Sequence, residues 1–210
     1  MFNPKISKEE VNQLPIAEFT GKIVLVDTRK VIDKALDELF EHPIVGIDTE
    51  TRPSFTRGIA YKVSLLQLAT SDTAYLFRLN KVGFPKRLIE FLSDEKILKI
   101  GLALRDDFNG LAKQRKFKAA GFIDIQNIAK DYGILELGLQ KIFAILFGQK
   151  ISKSQRLTNW ENDVLTEAQK LYAATDAWAT LQIYLRLSQE KKLSKKELDA
   201  IIAQVNEENN

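Results

Sequence analysis

The stretch VGIDTET, residues 45–51, combines the character of a buried strand with two carboxylates. Val45 and Ile47 favour a dry environment, whereas Asp48 and Glu50 are negatively charged at neutral pH. Side chains alternate between the two faces of a strand, so residues 48 and 50 point to the same side. Two neighbouring anions in a core strand repel each other unless a cation lies close by. The stretch therefore predicts a central strand that carries a polar site.

Apolar periodicity places further strands and helices around this stretch. Strand-like segments lie at 22–27, 61–70, 73–79 and 96–104. Apolar residues recur at helical intervals in 31–42, 84–94, 106–115, 135–148, 165–192 and 194–206. The loop 51–60 contains proline and glycine and predicts a hairpin-like connection between the strands that flank it. This order predicts one α/β domain, with a mixed sheet and helices on both sides.

The composition excludes several kinds of site. The 210 residues contain no cysteine and a single histidine, His42, so thiol nucleophiles, disulfides and thiolate metal sites are excluded. The net charge of +3 indicates no particular partner, although 31 basic residues leave room for a local positive surface. Neither a signal peptide nor an apolar run of membrane-spanning length is present. We expect a soluble cytoplasmic protein without a membrane partner, as a monomer or weak oligomer.

Two later segments add further acids to the pair on the central strand. The apolar segment KIGLAL leads into Asp106 and Asp107, and Tyr172 and Asp176 lie one turn apart on a helical segment. Each feature alone is typical of a loop cap or an ordinary helix surface. Several carboxylates without histidine or cysteine form a ligand set that hard cations such as Mg²⁺ or Mn²⁺ prefer. The predicted metal ligands are Asp48, Glu50, Asp176 and one of the adjacent pair Asp106 and Asp107.

These residues resemble the motifs of the DEDD 3′→5′ exonuclease superfamily, in the subgroup with a tyrosine in the third motif (DEDDy). Asp48 and Glu50 match the first motif, Asp107 the second, and Tyr172 with Asp176 the third. The third-motif context, NWENDVLTEAQKLYAATDAWATLQIY, is similar to that of the Werner-syndrome-type exonuclease domain, with ribonuclease D a more distant relative.

The resemblance implies a ribonuclease H-like α/β fold, a mixed five-to-six-stranded sheet flanked by helices. It implies an exonuclease domain over residues 22–192, preceded by an N-terminal extension, 1–21, and followed by a C-terminal helix, 193–210, packed on the domain. The family pattern places its second-motif acid six residues after Gly101, which is Asp107. Asp106 is then expected to be a helix N-cap or a solvated acid.

The implied reaction is metal-dependent hydrolysis of the terminal phosphodiester at a nucleic-acid 3′ end, which releases nucleoside 5′-monophosphates. Asp48 would bridge two Mg²⁺ or Mn²⁺ ions, Glu50 and Asp176 would complete the first site, and Asp107 would hold the second. Tyr172 would orient the attacking water. DNA is the favoured substrate because of the third-motif context. RNA 3′-end trimming and a catalytically weak nucleic-acid-binding module are the alternatives, and no helicase or repair partner is identified.

Candidate substrate contacts lie in two other segments. The basic segment KISKSQR could meet backbone phosphates or be a solvated turn. Residues close to the first motif could touch the terminal nucleotide, with an aromatic ring stacking on the base. The candidates are Lys150, Lys153 and Arg156 in the first segment, and Phe55, Arg57 and Gln67 near the first motif.

Overall fold

A six-stranded mixed sheet forms the centre of the computed structural model, which describes residues 1–207. The strands are β1 Lys22–Val26, β2 Ile44–Thr51, β3 Val63–Ala69, β4 Thr73–Phe77, β5 Leu98–Gly101 and β6 Phe122–Asp124. They lie in the order β1-β4-β3-β2-β5-β6. β3 runs antiparallel to both of its neighbours, and the other adjacent pairs are parallel. The predicted mixed sheet of five to six strands is confirmed.

Helices cover both faces of this sheet. They are α1 Lys8–Gln13, α2 Arg29–Phe40, α3 Leu79–Val82, α4 Lys86–Ser93, α5 Leu104–Gln114, α6 Ile125–Ala129, α7 Leu139–Phe147, α8 Glu167–Ser188 and α9 Lys195–Glu207, with a 3₁₀ turn at Lys130–Tyr132. Buried side chains of α2, α4 and α5 pack on one face, and those of α7 and α8 pack on the other. The longer predicted helices are therefore present, with shifted ends.

Some short elements were not predicted. β6 has three residues, which is too few for a period-two pattern to be recognised. The strand predicted at 96–104 is limited to Leu98–Gly101, because the chain turns at Ala103 and α5 begins at Leu104.

A close approach between α8 and β2 sets the position of the later acids. A Cβ on Gly46 would overlap the carbonyl oxygen of Ala177, so only glycine lets this helix lie against the strand. The Thr180 hydroxyl donates to the Ile100 carbonyl at 2.8 Å and ties α8 to β5 as well. The helix that carries the third motif is therefore held directly above the strand that carries the first.

The segments outside residues 22–192 contact the rest of the fold. Ala17 donates its amide to the Lys150 carbonyl at 2.8 Å, and Phe19 is buried. Leu193 donates its amide to the Asp131 carbonyl at 2.8 Å, and Val205 of α9 is buried. Residues 208–210 of the predicted C-terminal helix lie outside the described residues. Within residues 1–207, no helix has the length and apolar character needed to cross a membrane.

Candidate active site

Three carboxylates from two elements meet at the end of β2. Asp48 and Glu50 point to the same face of the sheet, and Asp176 of α8 lies against that face. One oxygen from each of the three carboxylates lies within 4.8 Å of the others. Glu50 and Asp176 are 9% and 7% exposed, so these acids are largely withdrawn from water. The structure brings the acids of the first and third motifs together, as predicted.

Burial and mutual repulsion oppose the ionisation of these three acids. Burial raises the pKa of Asp48 well above its ordinary value, and the charges of Asp176, Glu50 and Asp107 raise it further. Burial, followed by the charges of Asp176 and Asp107, raises the pKa of Glu50 to about 9. Burial likewise raises the pKa of Asp176 to about 7, while its hydrogen bond with Tyr172 acts in the opposite direction. Without a cation, these acids cannot all be ionised at neutral pH.

Asp107 approaches from the opposite face of the sheet. Thr49, between the two acids of β2, points towards α5, and its hydroxyl donates to Asp107 Oδ1. Asp107 is half-buried and lies outside the group of three, but its charge raises the pKa of Asp48 and of Glu50. Burial raises the pKa of Asp107 itself to about 6, against the hydrogen bond from Thr49. The second-motif acid therefore adjoins the cluster at its rim.

Asp106 is exposed on the same helix. Its expected role as a helix N-cap is wrong, because the N-cap of α5 is Ala103, three residues before the predicted start. The alternative expectation, a solvated acid, agrees with its exposure.

Asp124 positions the helix that carries Asp107. Its two carboxylate oxygens accept the amides of Ala103 and Leu104, at 3.0 and 2.9 Å. Ala103 has φ 58° and ψ 36°, a left-handed conformation that costs a non-glycine residue free energy. The carboxylate of Asp124 offsets that cost by holding the strand-to-helix turn. Asp124 was not among the predicted site residues, because an aspartate just ahead of a short helix is an ordinary N-cap pattern.

Tyr172 stands beside Asp176 on α8. Burial raises the pKa of the Tyr172 phenol above its ordinary value, and the charges of Asp176 and Glu50 raise it further. The hydroxyl therefore stays protonated and can donate a hydrogen bond. Its ring lies 6.0 Å from that of Trp160, which is fully buried.

A buried arginine anchors the loop that contains Trp160. Arg78 is 1% exposed, and its guanidinium donates to the carbonyls of Asp163, at 3.1 Å, and of Asn162. Trp160, held by this loop, packs with the tyrosine ring. Arg78 was not among the predicted site residues, because an arginine at a strand end is usually a surface residue.

The basic segment divides into two parts. Lys150 donates its ammonium to the Asn12 carbonyl, so it ties the N-terminal segment to the domain. Arg156 is close enough to favour the charged form of Glu50, and Lys153 to favour that of Asp176. Lys153 and Arg156 therefore lie near the acids.

The residues near the first motif also separate. Phe55 is 85% exposed and Arg57 is exposed in the loop after β2, where both are accessible to a ligand. Gln67 is 0% exposed, which leaves it no surface for the expected nucleotide contact. It pairs across the ladder with Asp48, on the face covered by α8. Among the described residues, neither amide atom of Gln67 has a hydrogen-bond partner.

The donor set fits a divalent metal ion. It offers carboxylate oxygens that converge, are mostly buried and are held close enough to repel, which is the environment of a hard cation. Asp48, Glu50 and Asp176 would hold such an ion.

Comparisons with known proteins agree with this geometry. A family profile described as 3'-5' exonuclease matches residues 23–192. The chain is 32% identical over 186 residues to "Bifunctional 3'-5' exonuclease/ATP-dependent helicase WRN" of Mus musculus, which covers 84% of this chain and 13% of that protein. The chain thus spans about an eighth of the length of this relative.

Two solved structures share the fold. The Aedes aegypti Nibbler EXO domain has a TM-score of 0.72 at 22% identity, over 85% of this chain and 94% of that one. Escherichia coli RNase D, titled an exoribonuclease involved in structured RNA processing, has a TM-score of 0.72 at 24% identity, over 80% and 44%. The resemblance stated from the three motifs is confirmed. Since the profile spans most of the sequence and includes every motif residue, the chain belongs to the 3'-5' exonuclease family.

Proposed function

We propose that this protein is a metal-dependent 3′→5′ exonuclease that removes nucleoside 5′-monophosphates from the 3′ end of nucleic acid, with DNA preferred over RNA. The observation that carries the proposal is the convergence of Asp48, Glu50 and Asp176, with pKa values raised by burial. The range matched by the family profile supports residues 22–192 as the catalytic domain.

The proposed site holds two ions, Mg²⁺ or Mn²⁺. Asp48, Glu50 and Asp176 would hold the first ion, and Asp48 together with Asp107 at the rim would hold the second. When bound, the ions supply the positive charge that stabilises the attacking and leaving oxygens and acidifies water.

The side chains orient the reaction around this centre. Water attacks the terminal phosphorus, the bond to the 3′ oxygen breaks, and that oxygen takes up a proton as the shortened strand leaves. The Tyr172 hydroxyl, protonated at neutral pH, donates a hydrogen bond that orients the attacking water. Lys153 and Arg156 lie close enough to the acids to contact the scissile phosphate or its neighbour. Phe55 is accessible for stacking on the terminal base.

The test uses matched 5′-labelled DNA and RNA oligonucleotides, incubated with Mg²⁺, with Mn²⁺ or with chelator. The expected result is a ladder of products shortened from the 3′ end, released 5′-monophosphates, and faster loss of DNA. A circular single strand serves as the control and should remain intact. Faster loss of RNA would support 3′-end trimming of RNA instead. Binding without hydrolysis under every condition would leave only a nucleic-acid-binding module.

Tyr172→Phe should lower kcat by about 10²–10³-fold, because it removes one hydrogen-bond donor at the reacting water. The ring and its packing on Trp160 are retained, so metal affinity should change by less than about threefold. Turnover and Mn²⁺ titration of the same preparation check both expectations. A loss of Mn²⁺ affinity as large as the loss of turnover would show that the tyrosine supports the metal site rather than the water.

Asp107→Asn and Asp106→Asn form a matched pair on one helix. Asp107→Asn should lower kcat by at least about 10²-fold, since Asp107 lies next to Thr49 and the cluster. Asp106→Asn removes an exposed charge and should keep activity within about twofold of the wild type. The reverse order of effects would move the second-motif assignment to Asp106.

A further inference from the structure

A basic groove, lined by Arg29, Lys86, Arg87 and Arg115, lies beside the sheet on the face opposite α8. It has a volume of about 470 Å³ and is open to solvent. α2, the turn before α4 and the end of α5 contribute its walls. Asp33 is the single acidic residue among the residues that line it.

The groove lies at the same end of the strands as the acids. β1, β4 and β2 run parallel to one another, so their carboxyl ends all lie at one end of the sheet. α2 follows β1, the α3–α4 turn follows β4, and Glu50 lies near the end of β2. β4 is two strands from β2 and β1 is three, which at about 4.8 Å per strand separates the groove from the acids by roughly 10–15 Å along the sheet.

α5 connects the two places directly. Its first turn carries Asp107, near the acids. Near its other end, Gln114 Nε2 donates to the carbonyl of Val63, the first residue of β3, at 2.9 Å. Arg115 follows and donates through Nη1 to the Phe84 carbonyl at 3.1 Å. One helix therefore runs from the metal-binding acids to the groove.

Much of the positive charge in the groove is not neutralised by the protein. Arg87 binds Asp33 at 3.1 Å and Asp37 at 2.7 Å, so the acid in the groove is already engaged. Within residues 1–207, Arg29 and Arg115 form no ion pair. Lys86 is 3.5 Å from Glu90 and 83% exposed, a contact of little energetic weight.

The backbone adds to this charge. Arg29 and Lys86 are the first residues of α2 and α4, and neither helix has a side-chain cap or an acidic residue in its first turn. A cation at a helix N-terminus is disfavoured by the helix dipole, whereas an anion is favoured there. An anion in the groove would relieve that conflict.

We propose that this groove binds backbone phosphates of the nucleic-acid substrate, several nucleotides upstream of the 3′ end held by the acids. The inference rests on the proposed function for the position of the 3′ end. The 3.4 Å per nucleotide of a duplex strand is a rise along the helix axis, and successive phosphates of an extended strand lie farther apart, so at most about four phosphates span 10–15 Å. A strand of several nucleotides therefore reaches both places, and a nucleoside 5′-monophosphate reaches only the acids.

The test compares a labelled 20-nucleotide single strand with a nucleoside 5′-monophosphate, in a Glu50→Gln background that prevents turnover. Arg29→Gln with Arg115→Gln should weaken binding of the long strand by at least about tenfold and leave binding of the monophosphate unchanged. The slope of log K against log salt should become shallower by about 1.4, or 0.7 per cation lost. Lys195→Gln with Lys196→Gln, two exposed lysines of α9, is the charge-matched control and should keep the wild-type slope.

Two results would overturn the groove assignment. One is a double variant that binds the long strand with wild-type affinity and slope; the other is an equal loss of affinity for the nucleoside 5′-monophosphate. Thermal melting of each variant establishes that it is folded. The measurements distinguish a wrong groove assignment from a wrong exonuclease proposal. Salt-dependent binding of the long strand without hydrolysis by the wild type refutes only the exonuclease proposal, and hydrolysis with unchanged groove variants refutes only the groove.

Discussion

Asp48→Asn should abolish 3′-end hydrolysis, with kcat reduced by at least about 10³-fold. Asp48 is the carboxylate on which the other three acids act: the charges of Asp176, Glu50 and Asp107 all raise its pKa. Asparagine keeps the shape of the side chain but removes the charge that binds a cation. Gel-based degradation of a labelled strand, with Mn²⁺ affinity measured on the same preparation, checks both losses.

The same variant should be at least as stable as the wild type in metal-free buffer, because it removes a buried carboxyl whose ionisation is opposed by burial and by the neighbouring charges. Loss of activity would then not be loss of folding. Asp199→Asn on α9 removes an exposed carboxylate far along the chain and is the control, with unchanged activity and metal affinity. Asp48→Asn activity within about tenfold of the wild type would remove this residue from the centre of the site.

Local periodicity made the first and third motifs predictable. Asp48 and Glu50 share a face because strand side chains alternate, and Tyr172 and Asp176 share one because they are four residues apart on a helix. Their convergence required the resemblance to a known family, since no local pattern indicates that α8 lies on β2. The close approach at Gly46 that permits it depends on a backbone carbonyl 131 residues later in the sequence.

Other parts of the site depend on contacts that the sequence does not encode locally. Asp107 reaches the cluster through Thr49 because Asp124 stabilises a left-handed turn at Ala103. Gln67 was expected to contact substrate because it lies close to the first motif in the sequence. β3 is instead buried on both faces, which places the amide in the interior. The basic groove assembles three separate helix ends, whose proximity follows only from strand order.

In metal-free buffer, the free energy of unfolding should fall as the pH rises from about 5 to about 8. The pKa of Glu50, about 9, and that of Asp176, about 7, lie above the ordinary carboxyl values near 4. Between the ordinary and the raised value, the folded protein keeps protons that the unfolded chain has released, so raising the pH favours unfolding. Each such group contributes a slope of about 1.4 kcal/mol per pH unit.

Lys99 limits the pH range over which this prediction can be tested. Its ammonium is buried and donates to the carbonyls of Phe91 and Asp94, at 3.2 and 2.6 Å. Burial lowers the pKa of Lys99 to about 8. Below that pH the buried ammonium lowers the free energy of unfolding, and this cost shrinks as the pH rises above about 8 and the folded protein releases the proton. Above about pH 8 the lysine therefore opposes the acids.

Urea denaturation at several pH values, with chelator and with saturating Mg²⁺ or Mn²⁺, measures the effect. Bound cations replace the protons, so the downward slope should disappear with metal, and the stabilisation by metal should grow with pH. Glu50→Gln with Asp176→Asn removes two of the titrating groups and should make the metal-free profile less steep, with Asp48 and Asp107 accounting for the slope that remains. A metal-free wild-type profile that is flat or rises from pH 5 to 8 would mean that these acids keep ordinary pKa values. They would then be hydrated rather than held together, and the argument for a cation among them would fail.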